Sequence, residues 1–404
     1  MLKKLVPLNF VKNNSFKIQL KKGEGINVWD TDNKKYIDCL TPPAYLPLGH
    51  NNHNYKLTIS NSLKKNKIIQ APLLSENINF LQLIKTILPT NFANNSKFIH
   101  CSRNPVDNAI KIAKNVTKRD HVMFFEGSSH SLIEKYRYSK IDLYNMELNQ
   151  PVPYFGTPYQ DYKKNVNFID YRISNAELKP AAIVVEPLHF DNGVHLHPIE
   201  WMRDINEIAH KHGIIFILDE RNTGFSKTGQ NFYFDENGIN PDIVCLSENI
   251  GTNYPFHLLC FKTELENKKN CFKDVEFYQG NQLALKLGIN LIEHLVRNNM
   301  NDHMLNIKSK ININMNYLKN CYGNLIVDRR IYGSSNAIEF ENNEKSKNLV
   351  LNIQKNAVEN GLLFQTAGKN DQIIKLSFPL IIENQDIDEI FSKLDKSLQK
   401  ALFQ

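Results

Sequence analysis

Three acidic side chains stand at or just past the ends of apolar runs, where a carboxylate can do chemistry. Asp219 closes Ile214-Ile-Phe-Ile-Leu218, and Glu186 closes Ala181-Ala-Ile-Val-Val185 and precedes Pro187. Glu248 follows Asp242-Ile-Val-Cys-Leu246 by one residue. Runs of this length and composition read as buried strands, and ligands of open α/β sheets gather at the carboxyl ends of such strands. An acid there can hold a cationic ring nitrogen or move a proton; the plainer reading is a turn or helix-capping acid. His130 lies beyond another strand candidate, His121-Val-Met-Phe-Phe125. Two arginines, Arg103 and Arg221, fall in the loops after two such runs.

Other polar constellations carry less. His50 and His53, His195 and His197, and His210 and His212 have the spacing of possible metal pairs. Residues two apart on a helix point to different faces, and no third ligand accompanies any pair, so no metal is expected. No P-loop or dinucleotide-type glycine loop occurs, and no Gly-x-Ser-x-Gly or catalytic cysteine motif.

The elements that would position these residues alternate. A helical pattern at Asn108–Lys114 follows Phe98-Ile99-His100, and a helix from Trp201 to His212 stops at Gly213. Strands apolar throughout and alternating with helices predict a mostly parallel sheet covered on both faces. From about Asn290 the pattern changes to long helices with short β segments, which suggests a second, smaller unit.

Composition bounds the class. The chain has 404 residues, 42% hydrophobic and 23% charged, ordinary values for a globular protein. No apolar run approaches the roughly 18–20 residues of a membrane span, and the N-terminus shows no secretory signal pattern. Six scattered cysteines without a CxxC pair argue against a disulfide framework or zinc site and make the reducing cytoplasm the default. The formal charge of +7 comes from dispersed lysines among asparagines and isoleucines, and no nucleic-acid-binding motif accompanies it.

Segments in order along nearly the whole chain carry a family resemblance. They are Gly23-Glu-Gly25, Trp29-Asp30-Thr-Asp32, Tyr36-Ile-Asp38, Leu48-Gly49-His50, Phe125-Glu-Gly127-Ser-Ser-His130, Glu186-Pro187, Asp219-Glu220 with Thr223-Gly224-Phe225, Thr228-Gly229, Pro241-Asp242, and Ile374-Lys-Leu-Ser-Phe-Pro379. The sequence resembles the class III aminotransferases, and within them glutamate-1-semialdehyde aminomutase. Where that family has glycine, Asn33 stands, and asparagine tolerates a left-handed turn nearly as well. The resemblance implies an α/β protein of fold-type I: a mostly parallel central sheet with helices on both faces, plus a smaller α/β domain. The large domain is expected over residues 50–290, and the small one from residues 1–49 together with 291–404. The implied cofactor is pyridoxal phosphate, an electron sink that carries the hard chemistry.

The resemblance also assigns positions, many of them substituted. Asp219 is implied as the acid beside the pyridine nitrogen, with His130 and Glu186 retained near it. Glu248 falls where the family has its Schiff-base lysine, and a carboxylate cannot form an imine. In the phosphate loop, Ser102 replaces a glycine and Arg103 a threonine. Ser129 and Arg221 replace the residues on the two faces of the ring. Phe277 replaces a threonine that reaches the phosphate from the partner subunit. These changes fall in one pocket. They lead to the expectation of a catalytically inactive class III-like protein whose cofactor is lost or non-covalent. It would bind an anionic metabolite or pair with an active paralogue, as a heterodimer or homodimer. The alternative is an aminotransferase or aminomutase-type enzyme using pyridoxal or pyridoxamine phosphate without the usual lysine. Arg221 or Arg103 is expected to pair with Asp219 or Glu248, because an unpartnered buried charge is costly.

Overall fold

The computed structural model describes residues 18–41, 45–64, 75–101, 104–125, 128–129, 159–235, 238–247, 256–277 and 281–403. The strands are β1 (Leu20–Glu24), β2 (Asn27–Asp30), β3 (Lys35–Cys39), β4 (Ser96–Cys101), β5 (Val122–Phe124), β6 (Ala182–Val185), β7 (Leu188–His189), β8 (His195–Leu196), β9 (Ile215–Asp219), β10 (Ile243–Ser247), β11 (His257–Lys262), β12 (Ile326–Tyr332), β13 (Ser335–Phe340), β14 (Leu362–Ala367) and β15 (Ile373–Ser377). The helices are α1 (His53–Lys64), α2 (Ser75–Lys85), α3 (Thr90–Asn94), α4 (Pro105–Thr117), α5 (Tyr159–Ser174), α6 (Ile199–Lys211), α7 (Gln282–Arg297), α8 (Met300–Tyr322), α9 (Glu344–Glu359) and α10 (Asn384–Leu402).

Six strands form the central sheet in the order β4-β11-β10-β9-β6-β5. Strands β10, β9, β6 and β5 pair in parallel, and β11 runs against both its neighbours. The apolar runs therefore become the buried middle of a largely parallel sheet, as their composition predicts. Alternation along β9 sends Ile215 and Ile217 to one face, where Val106, Ala109, Ile110 and Ala113 of α4 pack. Phe216 and Leu218 go to the other, against Trp201, Met202, Ile205 and Ile208 of α6. That face of α6 repeats at helical spacing, and Gly213 ends the helix region at φ +60°.

The second sheet draws on both ends of the chain, in the order β1-β2-β3-β14-β15-β13-β12. Its pairings are antiparallel except β3 with β14. At its edge Asn33 turns at φ +64°, as its side chain permits. Asp30 anchors that turn by accepting from Asp32 N (3.0 Å) and Lys34 N (2.9 Å). No helix among the described residues is long and apolar enough to cross a membrane. All six cysteines are free, five of them buried.

Candidate active site

Asp219 ends β9 at 1% exposure, at the carboxyl edge of the central sheet. By alternation it shares the face of Ile215 and Ile217, the side on which α4 packs. The N-terminus of α4, capped by Asn104 Oδ1 accepting from Val106 N (3.0 Å), follows the end of β4. Arg221, two residues on, folds back onto the acid. Its Nε donates to Oδ1 (2.8 Å) and Oδ2 (3.1 Å), its Nη2 to Oδ2 (2.8 Å), and its backbone N to Oδ1 (3.2 Å). Both side chains are nearly dry, so this is a charge-assisted pair in a weakly screened environment.

The turn that presents Arg221 is braced from below. Glu220 is fully buried and accepts from Thr223 Oγ1 and from Phe234 N (3.0 Å). Burial pushes its carboxyl up to about 7. Lys227, also buried, donates from Nζ to the Arg221 carbonyl (3.0 Å). Burial pushes its amine down to about 8, against the opposing pull of Glu220 and Asp219. Lys227 reaches that position through two successive left-handed residues, Phe225 (φ +61°) and Ser226 (φ +64°). That conformation is strained for a bulky side chain, and it persists here because Asn231 O accepts from Phe225 N (2.6 Å).

Glu186, at the exit of β6, is clamped at both oxygens. Oε2 accepts from Ser129 N (2.9 Å) and Ser129 Oγ (3.1 Å), and Oε1 from Asn222 Nδ2 (2.8 Å). The clamp joins the exits of β5, β6 and β9. Beyond Glu186 the chain makes the β7–β8 hairpin, and its tip meets the second sheet. There Lys375 of β15, 4% exposed, lies 3.8 Å from Asp191, with Nζ 4.2 Å from the Phe190 ring centroid. Burial lowers the Lys375 amine below its ordinary range. On the same tip Arg330 Nε donates to the Gly193 carbonyl (2.9 Å), and Arg330 pairs with Asp328 and Glu339.

Of the residues singled out in sequence, the structure gathers Asp219 with Arg221, and Ser129 with Glu186. Phe277 is 57% exposed, bridged to Cys101 at the end of β4 and edge-on to Phe272 at 5.6 Å. Ser102, Arg103, His130 and Glu248 lie outside the described residues. Arg221 does not lie as a bare cation on a ring face; its guanidinium is spent on Asp219. Sequence reasoning missed Asn222, Lys227, Asp191 and Lys375. Lys375 stands inside a segment quoted only for family likeness, and nothing in its type marks it as buried. The histidines gather differently from their spacing: His189 Nε2 lies 3.2 Å from His197 Nε2, and His189 pairs across the hairpin with His195. Among the described residues no three of His, Cys, Asp and Glu group as a metal site requires.

Comparison with known proteins decides the family. The class-III aminotransferase family model matches residues 10–398. The chain belongs to that family. Its relatives include a diaminobutyrate–2-oxoglutarate transaminase of Oceanobacillus iheyensis, 26% identical over 399 residues, covering 95% of this chain and 92% of the relative. The same enzyme of Virgibacillus pantothenticus is 28% identical over 397 residues, covering 95% and 94%. An ω-transaminase from Pseudomonas jessenii, solved in complex with PMP, superposes with a TM-score of 0.81 at 16% identity, covering 98% of this chain and 95% of that one. The fold is thus that of the fold-type I transferases, and the family and its structural neighbours depend on pyridoxal or pyridoxamine phosphate.

These findings correct two expectations. An inactive chain is overturned: full-length relatives are transaminases, which supports an active aminotransferase, although identity is modest. Loss of the cofactor finds no support either. Both rested on Glu248 at the lysine position and on reading the changes at Ser102, Arg103, Ser129, Arg221 and Phe277 as damage to one pocket. In the structure Arg221 is bound into an ordered shell around an intact, buried Asp219. The two relatives named above are diaminobutyrate transaminases, whereas the motifs suggested the semialdehyde aminomutases.

Proposed function

We propose that this class-III aminotransferase moves an amino group between a diamino acid of the diaminobutyrate type and a 2-oxo acid. It would hold pyridoxal or pyridoxamine phosphate without a covalent lysine link. The carrying observation is Asp219: a buried carboxylate at a strand's carboxyl end, in a chain aligned end to end with transaminases. The donor set suits the group. The buried Asp219 carboxylate, its charge shared with Arg221, can still accept from a ring N–H, and the nearby start of α4 favours an anion.

When bound, the cofactor supplies an electron sink that makes the amino-bearing carbon acidic. The chain's own residues do the rest. Asp219 places an acceptor at the sheet edge, and Arg221, which shares its charge, holds its two oxygens in one orientation. Ser129 and Asn222 hold the Glu186 carboxylate still, so it presents fixed charge without reorganisation. Lys375 and Asp191 form a pair of opposite charges at 3.8 Å, and substrate groups of opposite sign would take their places. Lys375 then receives a carboxylate of the 2-oxo acid, and Asp191 an ammonium of the diamino acid. Glu248, at the family's lysine position in sequence, can take and return a proton at a carboxylate oxygen although it cannot form an imine. The exposed Phe277 suits a second copy of the chain packing over this edge.

The test is glutamate formation from diaminobutyrate and 2-oxoglutarate by purified protein supplied with pyridoxal phosphate. Borohydride trapping and peptide mass spectrometry should find no pyridoxyl-lysine. Glu248→Gln should abolish turnover and leave the absorbance of bound cofactor. Neither glutamate nor bound-cofactor absorbance from the wild type would end this reading.

A further inference from the structure

Two cations of the site, Lys375 on β15 and Arg221 in the turn after β9, are connected through one hairpin turn. Lys375 lies on β15, two residues before Ser377 and three before Phe378. Phe378 N donates to the Ser334 carbonyl (2.8 Å), and Ser334 N donates to the Lys227 carbonyl (2.9 Å). Lys227 in turn donates through Nζ to the Arg221 carbonyl, whose guanidinium grips Asp219. A continuous run of short bonds thus leads from Lys375 to Asp219.

The turn at its centre has no slack. Gly333 adopts φ +74°, and a Cβ added there would collide with the Lys227 carbonyl oxygen while lying 3.4 Å from Thr228 Cα. Those atoms are backbone, so the turn would have to lift away. Asn336, fully buried, closes the hairpin by donating from Nδ2 to the Gly333 carbonyl (2.8 Å) and accepting from Tyr332 N (3.3 Å). Register then carries the geometry to Lys375: Ser335 faces Ser377 and Ala337 faces Lys375. On the other side, the strained Phe225–Ser226 pair delivers Lys227 to its place.

We propose that the Gly333–Ser334 turn, seated on Lys227, is a strut that sets the separation between Lys375 and the Asp219–Arg221 pair, and so positions the substrate's carboxylate relative to the reacting carbon. Gly333 and Lys227 are positioning residues; neither touches substrate. The inference rests on the proposed function for the role of Lys375, while the strut itself is a property of the fold.

The test uses Gly333→Ala, with Lys227→Met as a second variant should the first fail to fold. A misplacement of an ångström or less at a reacting centre costs one to two decades, so Gly333→Ala should raise KM for 2-oxoglutarate about tenfold, with the Kd for pyridoxamine phosphate within about twofold of wild type. Amide hydrogen exchange, without substrate, should quicken together in peptides spanning 219–229 and 373–380 and stay unchanged in α10. Quickening on one side only, or KM unchanged in a folded variant, overturns the strut. A wild type that turns over no diaminobutyrate sinks the functional reading instead, and the exchange data still judge the strut.

Discussion

Replacing Asp219 by Asn separates the structural work of the buried pair from its chemical work. Asparagine is nearly isosteric and keeps one acceptor oxygen, but it removes the charge that Arg221 grips at 2.8 Å through both Nε and Nη2. The two side chains are 11% and 2% exposed, so solvent screening offers little relief. Breaking a buried pair by removing one partner costs about 3–5 kcal/mol. The retained oxygen still accepts from the Arg221 backbone and Nε, which puts the loss at the lower end, about 3 kcal/mol or two decades in the folding equilibrium. Turnover should fall further, by about 10²–10³, because the carboxylate proposed to face the reacting ring has lost its charge. Urea unfolding measures the first quantity, and glutamate formation the second. Asp219→Asn/Arg221→Leu is the control: with neither charge left, most of the stability should return while activity stays lost. A single variant within about 0.5 kcal/mol of wild type would refute the reasoning, since that is the size of an ordinary surface change. So would a double variant no more stable than the single one.

Two further outcomes follow from the same shell. Glu220, raised to about 7 from an ordinary 4.5, contributes stability that is present below its unfolded value and lost as pH rises through 7. Wild type should therefore gain on Glu220→Gln as pH is lowered from about 7.5 to 5, a window below the Lys227 titration, and melting curves at the two pH values check the sign. Phe277→Asp should hold the chain as a monomer in sedimentation at micromolar concentration where wild type is a dimer, since it puts a charge in the proposed contact; equal sedimentation of both removes the second-copy proposal.

Much of the fold was legible because its signals are local. Each apolar run in the middle of the chain became a strand of the central sheet within a residue or two, and Asp219 landed at a carboxyl end because Leu218 is the last residue that must be apolar. The second sheet was not legible to the same degree. It joins β3 to β14 across more than 300 residues of sequence, in parallel register from Ile37 with Leu362 to Cys39 with Phe364, and no periodicity announces that pairing. The hairpin β7–β8 escaped for a different reason: strands of two residues carry no alternation to read.

The site shows where residue types stop being informative. Read from its type, Arg221 is a cation intruding on a ring face, and with Glu248 it suggests a pocket emptied of its chemistry. Its position says something else. Two residues past a strand end, an arginine can turn back on the strand's last carboxylate, and here it does so with its backbone N and its guanidinium together. Whether a charge in that turn spoils the acid or holds it depends on where the guanidinium points, and the backbone that carries it is held by Lys227 bonding the Arg221 carbonyl from six residues on. The Gly333–Ser334 turn of a remote hairpin in turn sits on the Lys227 carbonyl. Each step is ordinary physical chemistry, but each spans a larger sequence separation than the one before. A substitution at the first step therefore looks like loss when the later steps are out of view.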